Sequence, residues 1–398
     1  MRNYFYSILF LFLGLNQTPT FAQDTKEITS IILQGARNDL NTCAMSPNKY
    51  KRMAVAGWDN EILIYQADSP FNLVQKLLGH QAPVNSLAYN FAGNMFASGS
   101  SDQTVRLYDS LYRFVPLNEV GNNKHETAVH SVIFDRGGKY LFSGDKDGKL
   151  IIWDLNGKKS VRHYLTGNSI QDICLSPTPA NIFIAHSDPQ IKIFGLATGA
   201  LVRTLDGHTD VVNCLAMSAN NKYLISGSND KSARIWDLKT MKTLFVLNTE
   251  CWKVTSVGFT DDSKYCVTGC NDGSVRVWET ETGKLISKWN DEQIGVKELC
   301  FSKNNQYVLI APRSKESKDF GARIILSGLE PTFKPATSSV GNENNPMRRQ
   351  LDSIANLRTL TKQDSIKYKA ILKPEDIKPK NKPKSGNLDK PVIYKTPM

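Results

Sequence analysis

Apolar and polar residues alternate along most of this chain in runs too short for helices. The pattern is plainest in LNTCAMS (40–46), VNSLAYN (84–90), VHSVIFD (129–135), IQDICLS (170–176), VNCLAMS (212–218), VTSVGFT (254–260) and VKELCFS (296–302). Successive side chains of a strand point to opposite faces, so a period of two reads as strand and not as helix. β-Branched and aromatic residues fill the runs, and Asn, Asp and Gly bound them. After a turn comes a second strand such as MFASGS (95–100), YLFSGD (140–145), YLISGS (223–228) or YCVTGC (265–270). Four short strands per copy are predicted.

The copies recur. Aligned on a turn aspartate they run Asp59-NEILIYQ, Asp102-QTVRLYD, Asp147-GKLIIWD, Asp188-PQIKIFG, Asp230-KSARIWD and Asp272-GSVRVWE, at spacings of 43, 45, 41, 42 and 42 residues. A seventh, looser copy passes through Asp319-FGARIILS, 47 residues later, behind a longer loop at Arg313–Lys318. Such a fixed period marks a repeat architecture in which each unit buries its face against its neighbours.

Gly79-His80 and Gly207-His208 open two copies, and Trp153-Asp154 and Trp236-Asp237 close two. On these dipeptides and the number of aligned copies the sequence resembles the WD40 family over about three quarters of its length. The resemblance implies an all-β fold, a seven-bladed β-propeller over 23–331. It also implies a buried hydrogen-bonded set in each blade, made of a loop His, a strand Ser or Thr, a turn Asp and a Trp. His208, Ser226, Asp230 and Trp236 match in full. His125, Ser143, Asp147 and Trp153 match with Lys124 in place of the glycine, and His80, Ser98 and Asp102 match with Tyr108 in the Trp place. Thr268, Asp272 and Trp278 are preceded by Glu250 where the His is expected, and Ala36 replaces it in the first copy. Those blades are expected to be softer by about 1 kcal/mol per missing hydrogen bond. Residues 28–34 align with an outer strand, which the seventh copy lacks at its own C-terminal end. The N-terminal strand is therefore expected to complete the last blade and leave no open sheet edge.

Histidines and aspartates occupied with each other are structural groups, not free acids or bases. The chain has no Gly-rich phosphate loop, Gly-x-Ser-x-Gly elbow or His-Glu-x-x-His motif, so no enzyme, cofactor or metal is expected. His130 and His186 are not expected to form a metal site. Partners are expected at the rim that carries the leading loops and the aspartate turns, the face such a resemblance assigns to binding. The first residues of the inner strands, Asn41, Asn85, His130, Gln171, Asn213, Thr255 and Lys297, should ring a channel mouth that is uncharged apart from Lys297. Trp58 and Trp252 fall in rim loops, where an exposed aromatic anchors a partner. Together with His130, Lys146 and Lys297 they form the candidate site for a protein or peptide.

Composition and charge refine this picture. The 398 residues are 40% hydrophobic and 22% charged, which is ordinary for a globular chain. Of the net +11, residues 332–398 hold +8, from 14 Lys and Arg against 6 Asp and Glu, and 23–331 is left nearly neutral at +2. Arg2, the apolar run Tyr4–Leu15 and Thr20-Phe21-Ala22 before Gln23 read as a signal peptide over 1–22. The run is too short to cross a bilayer, so export to a periplasm or the outside, with no transmembrane span after leader removal, is expected. Seven cysteines cannot all pair internally, and they are read as small buried hydrophobes on strands.

After Pro331 the repeat stops. Residues 332–398 are rich in Lys, Pro, Asn and Ser and are expected to stay largely disordered, with an amphipathic helix conceivable at 347–372. The function expected is a non-enzymatic scaffold for protein–protein interaction, with nucleic acid disfavoured because aromatics are sparse in the tail. The alternatives are a propeller hydrolase or lyase with a site at the channel mouth, and tail-mediated binding of an anionic polymer.

Overall fold

A computed structural model describes residues 30–326 apart from 48–50, 69–70, 110, 119–123, 177–180, 291–293, 303–306 and 315–320. The leader expected at 1–22, the tail at 332–398 with the helix considered for 347–372, and Asp319 lie outside the described residues. All regular structure within them is β-strand, arranged as seven antiparallel four-stranded sheets. Blades 1 to 7 have the inner strands Leu40–Met45, Val84–Tyr89, Val129–Phe134, Ile170–Leu175, Val212–Met217, Val254–Phe259 and Ile294–Phe301. Each inner strand touches the next and the last touches the first, which closes a β-propeller. The second strands predicted at 95–100, 140–145, 223–228 and 265–270 form over those bounds.

Blade 7 takes its outer strand from the other end of the chain, as expected. Ser30–Leu33 pairs antiparallel with Ala322–Leu326, Ile31 opposite Ile324. The core is split among the blade interfaces: each of seven apolar clusters lies between two neighbouring blades. Trp236 of blade 5, for example, packs in one cluster with Phe183, Ile191 and Ile193 of blade 4. Near the hub both faces of a blade are covered, so second strands such as Tyr223–Ser228 are almost wholly buried and lose their polar alternation. Outer strands face solvent, and Leu201 and Val202 of blade 4 are exposed. Each fully buried Leu, Ile or Phe contributes roughly 1.5–3 kcal/mol of transfer free energy.

Near the start of every inner strand the register shifts: between Leu40 and Thr42, Val84 and Ser86, Val129 and Ser131, Ile170 and Asp172, Val212 and Cys214, Val254 and Ser256, and Val296 and Glu298. A bulge leaves one residue unpaired and re-aims its side chain. The residues so placed are Asn41, Asn85, His130, Gln171, Asn213, Thr255 and Lys297, the ring expected at the mouth. One cysteine pair departs from the expectation of small buried hydrophobes: Cys251 and Cys270 form a disulfide. Cys43, Cys174, Cys214 and Cys266 are buried free thiols, and Cys300 is half-buried.

Candidate partner-binding site

Three blades carry the His–Asp tie. In blade 5 Trp236 Nε1 donates to Ser226 Oγ at 2.8 Å, Ser226 Oγ lies 2.7 Å from His208 Nε2, and His208 Nδ1 lies 2.7 Å from Asp230 Oδ2. The serine oxygen thus joins the indole to the imidazole, and the imidazole joins it to the carboxylate. Burial alone would raise the pKa of Asp230, but hydrogen bonds from His208, Ser232 and the Thr209 N–H hold it well below the usual carboxylate range. Blade 2 repeats the tie through His80, with Asp102 and Ser98 each at 2.7 Å, and buried Tyr108 fills the Trp place.

Blade 3 corrects one assignment. His125 Nε2 meets Ser143 Oγ at 2.6 Å and Trp153 donates to the same oxygen at 2.8 Å, but His125 Nδ1 meets Asp145 at 2.7 Å rather than Asp147. Asp145 stands where blades 2 and 5 have Ser100 and Ser228, whose hydroxyls accept the N–H of Asp102 and Asp230. One carboxylate does both tasks here: Asp145 Oδ2 holds the imidazole, while Oδ1 accepts the Asp147 N–H at 3.0 Å and the Lys149 N–H at 2.8 Å. Asp147 is left exposed.

Blades 1, 4 and 6 join loop and turn by other bonds. In blade 6 the Cys251–Cys270 bond, Cα–Cα 6.3 Å, joins the same loop to the same turn. There Trp278 still donates to Thr268 Oγ1 at 3.1 Å, and Asp272 accepts from Ser274 N at 2.9 Å. Blade 4 reverses the order, with Thr166 in the loop and His186 at the strand end, Nε2 to Oγ1 2.9 Å. Burial, helped by Lys192, lowers the pKa of His186 to about 4. In blade 1 the Arg37 N–H donates to Asp59 at 2.6 Å.

At the mouth the bulge residues line a basin of about 730 Å³, together with Trp58, Lys253, Asn271, Gly295, Val296 and Arg313. Five of the seven also stitch one blade to the next by donating to a backbone carbonyl. Asn41 reaches Val84 O (3.2 Å), Asn85 reaches Val129 O (2.9 Å), and His130 Nδ1 reaches Ile170 O (3.0 Å). Asn213 reaches Val254 O (2.8 Å), and Thr255 reaches Val296 O (2.6 Å). Burial lowers the pKa of His130. Gln171 turns to Ser169 at 3.1 Å instead, and Lys297 makes no hydrogen bond or ion pair among the described residues.

A second tier lies one residue deeper. Thr42, Ser86 and Ser256 accept the N–H groups of Leu87, Val132 and Leu299 at 3.1, 3.1 and 3.0 Å. At two places a carboxylate does the same: Asp172 accepts Leu215 N at 2.9 Å and Glu298 accepts Cys43 N at 3.0 Å. Burial pushes Asp172 up to about 6 and Glu298 up to about 7.

Of the rim residues singled out in the sequence, Trp58, His130 and Lys297 line the basin, whereas Lys146 and Trp252 do not. Lys146 is exposed, and Trp252, 75% exposed, has Lys231 Nζ 5.9 Å above its ring. The mouth holds two further cations, Lys253 and Arg313. Lys253 is visible in the sequence as a charge immediately before the inner strand Val254–Phe259. Arg313, expected in a loop, is in a strand. The first hairpin of blade 7 continues beyond the usual first pair, placing Gly295 opposite Arg313 and Ile294 opposite Ser314. Glycine is required at 295 because a Cβ would lie 2.6 Å from the Asn271 carbonyl oxygen. No group of three or more metal-ligating side chains occurs among the described residues.

The WD domain, G-beta repeat family matches this chain at residues 71–109, 118–154, 199–237 and 241–279. Four segments of this chain are thus similar to the WD40 repeat. The matches at 71–109, 199–237 and 241–279 run from the outer strand of one blade to the third strand of the next, 118–154 begins after the outer strand Phe114–Val115, and the last three end on Trp153-Asp154, Trp236-Asp237 and Trp278-Glu279. Similar curated proteins include human striatin-3, 31% identical over 185 residues, which are 44% of this chain and 23% of that protein. The nuclear distribution protein PAC1 of Arthroderma otae is 32% identical over 174 residues, 41% of this chain and 37% of that protein. Human striatin is 27% identical over 202 residues, 47% and 25% of the two chains. The chain thus spans between about a quarter and somewhat over a third of the length of these relatives.

Proposed function

We propose that this WD40 propeller is a non-enzymatic interaction platform that holds a protein or peptide at its channel mouth. The observation that carries the reading is the state of its three Ser–His–Asp sets. Their distances are those of a hydrolase triad, yet a nucleophilic serine must be open to substrate and face an oxyanion hole. Ser98, Ser143 and Ser226 are fully buried, and the latter two accept a tryptophan N–H. The mouth, by contrast, offers amides, a hydroxyl, cations and Trp58, which is 56% exposed. These groups suit the recognition of a polypeptide backbone and its side chains.

The proposal includes an exported setting, supported by the leader-like pattern at 1–22 and by a bonded cysteine pair, since cytosolic thiols stay reduced. A mature N-terminus at Gln23 is the expected result of protein sequencing. Crosslinking in the native compartment followed by mass spectrometry tests the platform itself. Trp58→Ala is expected to lose partners that the intact chain captures, and deletion of 332–398 separates any contribution of the tail. Unchanged partners in Trp58→Ala would defeat the mouth as the binding face.

A further inference from the structure

Positive charge gathers on one arc of the mouth, and no Asp or Glu lines the basin among the described residues. Lys253 belongs to blade 6, and Lys297 and Arg313 to blade 7. Burial depresses the pKa of Lys297, and the neighbouring Lys253 and Arg313 depress it further, with Asp39 alone opposing. Asp39 is already engaged, 3.7 Å from Arg313 Nε. The ammonium groups of Lys253 and Lys297 have no hydrogen bond or ion pair among the described residues. Like charges held together in a concave, partly desolvated site repel one another, and an anion that enters removes that repulsion. Trp58 adjoins the arc from blade 1, the next blade round the ring.

We propose that this arc binds an acidic peptide segment, with a carboxylate seated among Lys253, Lys297 and Arg313 and an apolar neighbour against Trp58. The inference rests on the platform reading and names its ligand chemistry. A nucleic-acid backbone fits the surface less well, because it requires cations spread along a track and several stacking rings. Here the cations occupy a single arc, and Trp58 is the one tryptophan lining the basin.

The test titrates the full mature chain with a fluorescein-labelled peptide of repeating glutamate, glycine and phenylalanine, and with a twin carrying lysine for glutamate. The acidic peptide is expected to bind and its twin not. Lys297→Met and Arg313→Gln should each weaken binding by about tenfold, and Lys288→Met on the outer strand Leu285–Asn290 should not. Relief of like-charge repulsion should also raise the Tm of Lys297→Met. A fall in that Tm would mean that Lys297 already has a partner, such as a carboxylate of segments 291–293 or 315–320, and would overturn the inference. Equal binding of the two peptides, or displacement of the acidic one by a single-stranded oligonucleotide at lower concentration, would do the same. If Trp58→Ala loses native crosslinks while the acidic peptide fails to bind, the platform reading stands and the ligand assignment falls. If neither effect is seen, both fall.

Discussion

In blade 5 the loop before the inner strand is held to the turn after the second strand by His208 and Asp230, 2.7 Å apart. At the matching places in blade 6 stand Glu250, which is exposed, and the Cys251–Cys270 disulfide. Both blades keep a Trp bonded to a strand hydroxyl, Trp236 to Ser226 and Trp278 to Thr268. The fold therefore demands that loop and turn be joined at this point and leaves the chemistry of the joint free. The two joints differ in what can undo them. The imidazole tie depends on a relay of buried partners and on the ionisation of Asp230, whereas the disulfide ignores pH and answers to reductant.

The sharpest way to break the comparison is reduction. Opening the Cys251–Cys270 loop, 19 residues apart in sequence, should cost about 3 kcal/mol, read as a lower denaturant midpoint with dithiothreitol. Hydrogen exchange should rise at 249–255 and 268–274 and stay unchanged at 206–212, and a parallel rise in blade 5 would show that the joints are not independent.

Next in size is His208→Ala, which strips partners from buried Ser226 and from Asp230, at about 2 kcal/mol with or without reductant. The same variant carries a pH signature. The Asp230 carboxyl is held below its ordinary range, so its contribution is complete above about pH 4 and is lost as the pH falls through its lowered value. Blade 5 should accordingly loosen in strong acid in the native chain, and less so in His208→Ala, while blade 6 stays protected. The smallest effect belongs to Glu250→Gln. Its carboxylate is 72% exposed and 3.9 Å from Arg276, and losing it should change the unfolding free energy, read by denaturant titration, by less than about 0.5 kcal/mol.

Much of the frame could be read in the sequence because it follows from alternation and repetition. Runs such as YLISGS and YCVTGC formed strands over the predicted bounds, and the unmatched strand at 28–34 announced the seam. What the sequence hid lies in backbone register and in choices between near-equivalent side chains. Asp145 and Asp147 both suit the His125 tie, and alignment on turn aspartates selects the exposed one. No residue type marks a bulge, so the alternating pattern points to the mouth ring but carries no sign that five of its members are also stitches. Arg313 looked like loop because Pro312 and the Ser, Lys and Glu that follow it resemble a linker, yet pairing across from Gly295 extends the hairpin. The carboxylates of Asp172 and Glu298 sat in runs where Ser or Thr is usual, which was a legible clue to a polar role at the second tier.

The pairing of Ser30–Leu33 with Ala322–Leu326 also bears on how the molecule is made. A ribosome delivers the first of these segments long before the second, so the earliest strand must wait unpartnered until synthesis reaches the far side. A copy cut short before residue 322 would keep two bare ladders, one on its opening strand and one on Tyr307–Ser314, each ready to pair with another chain.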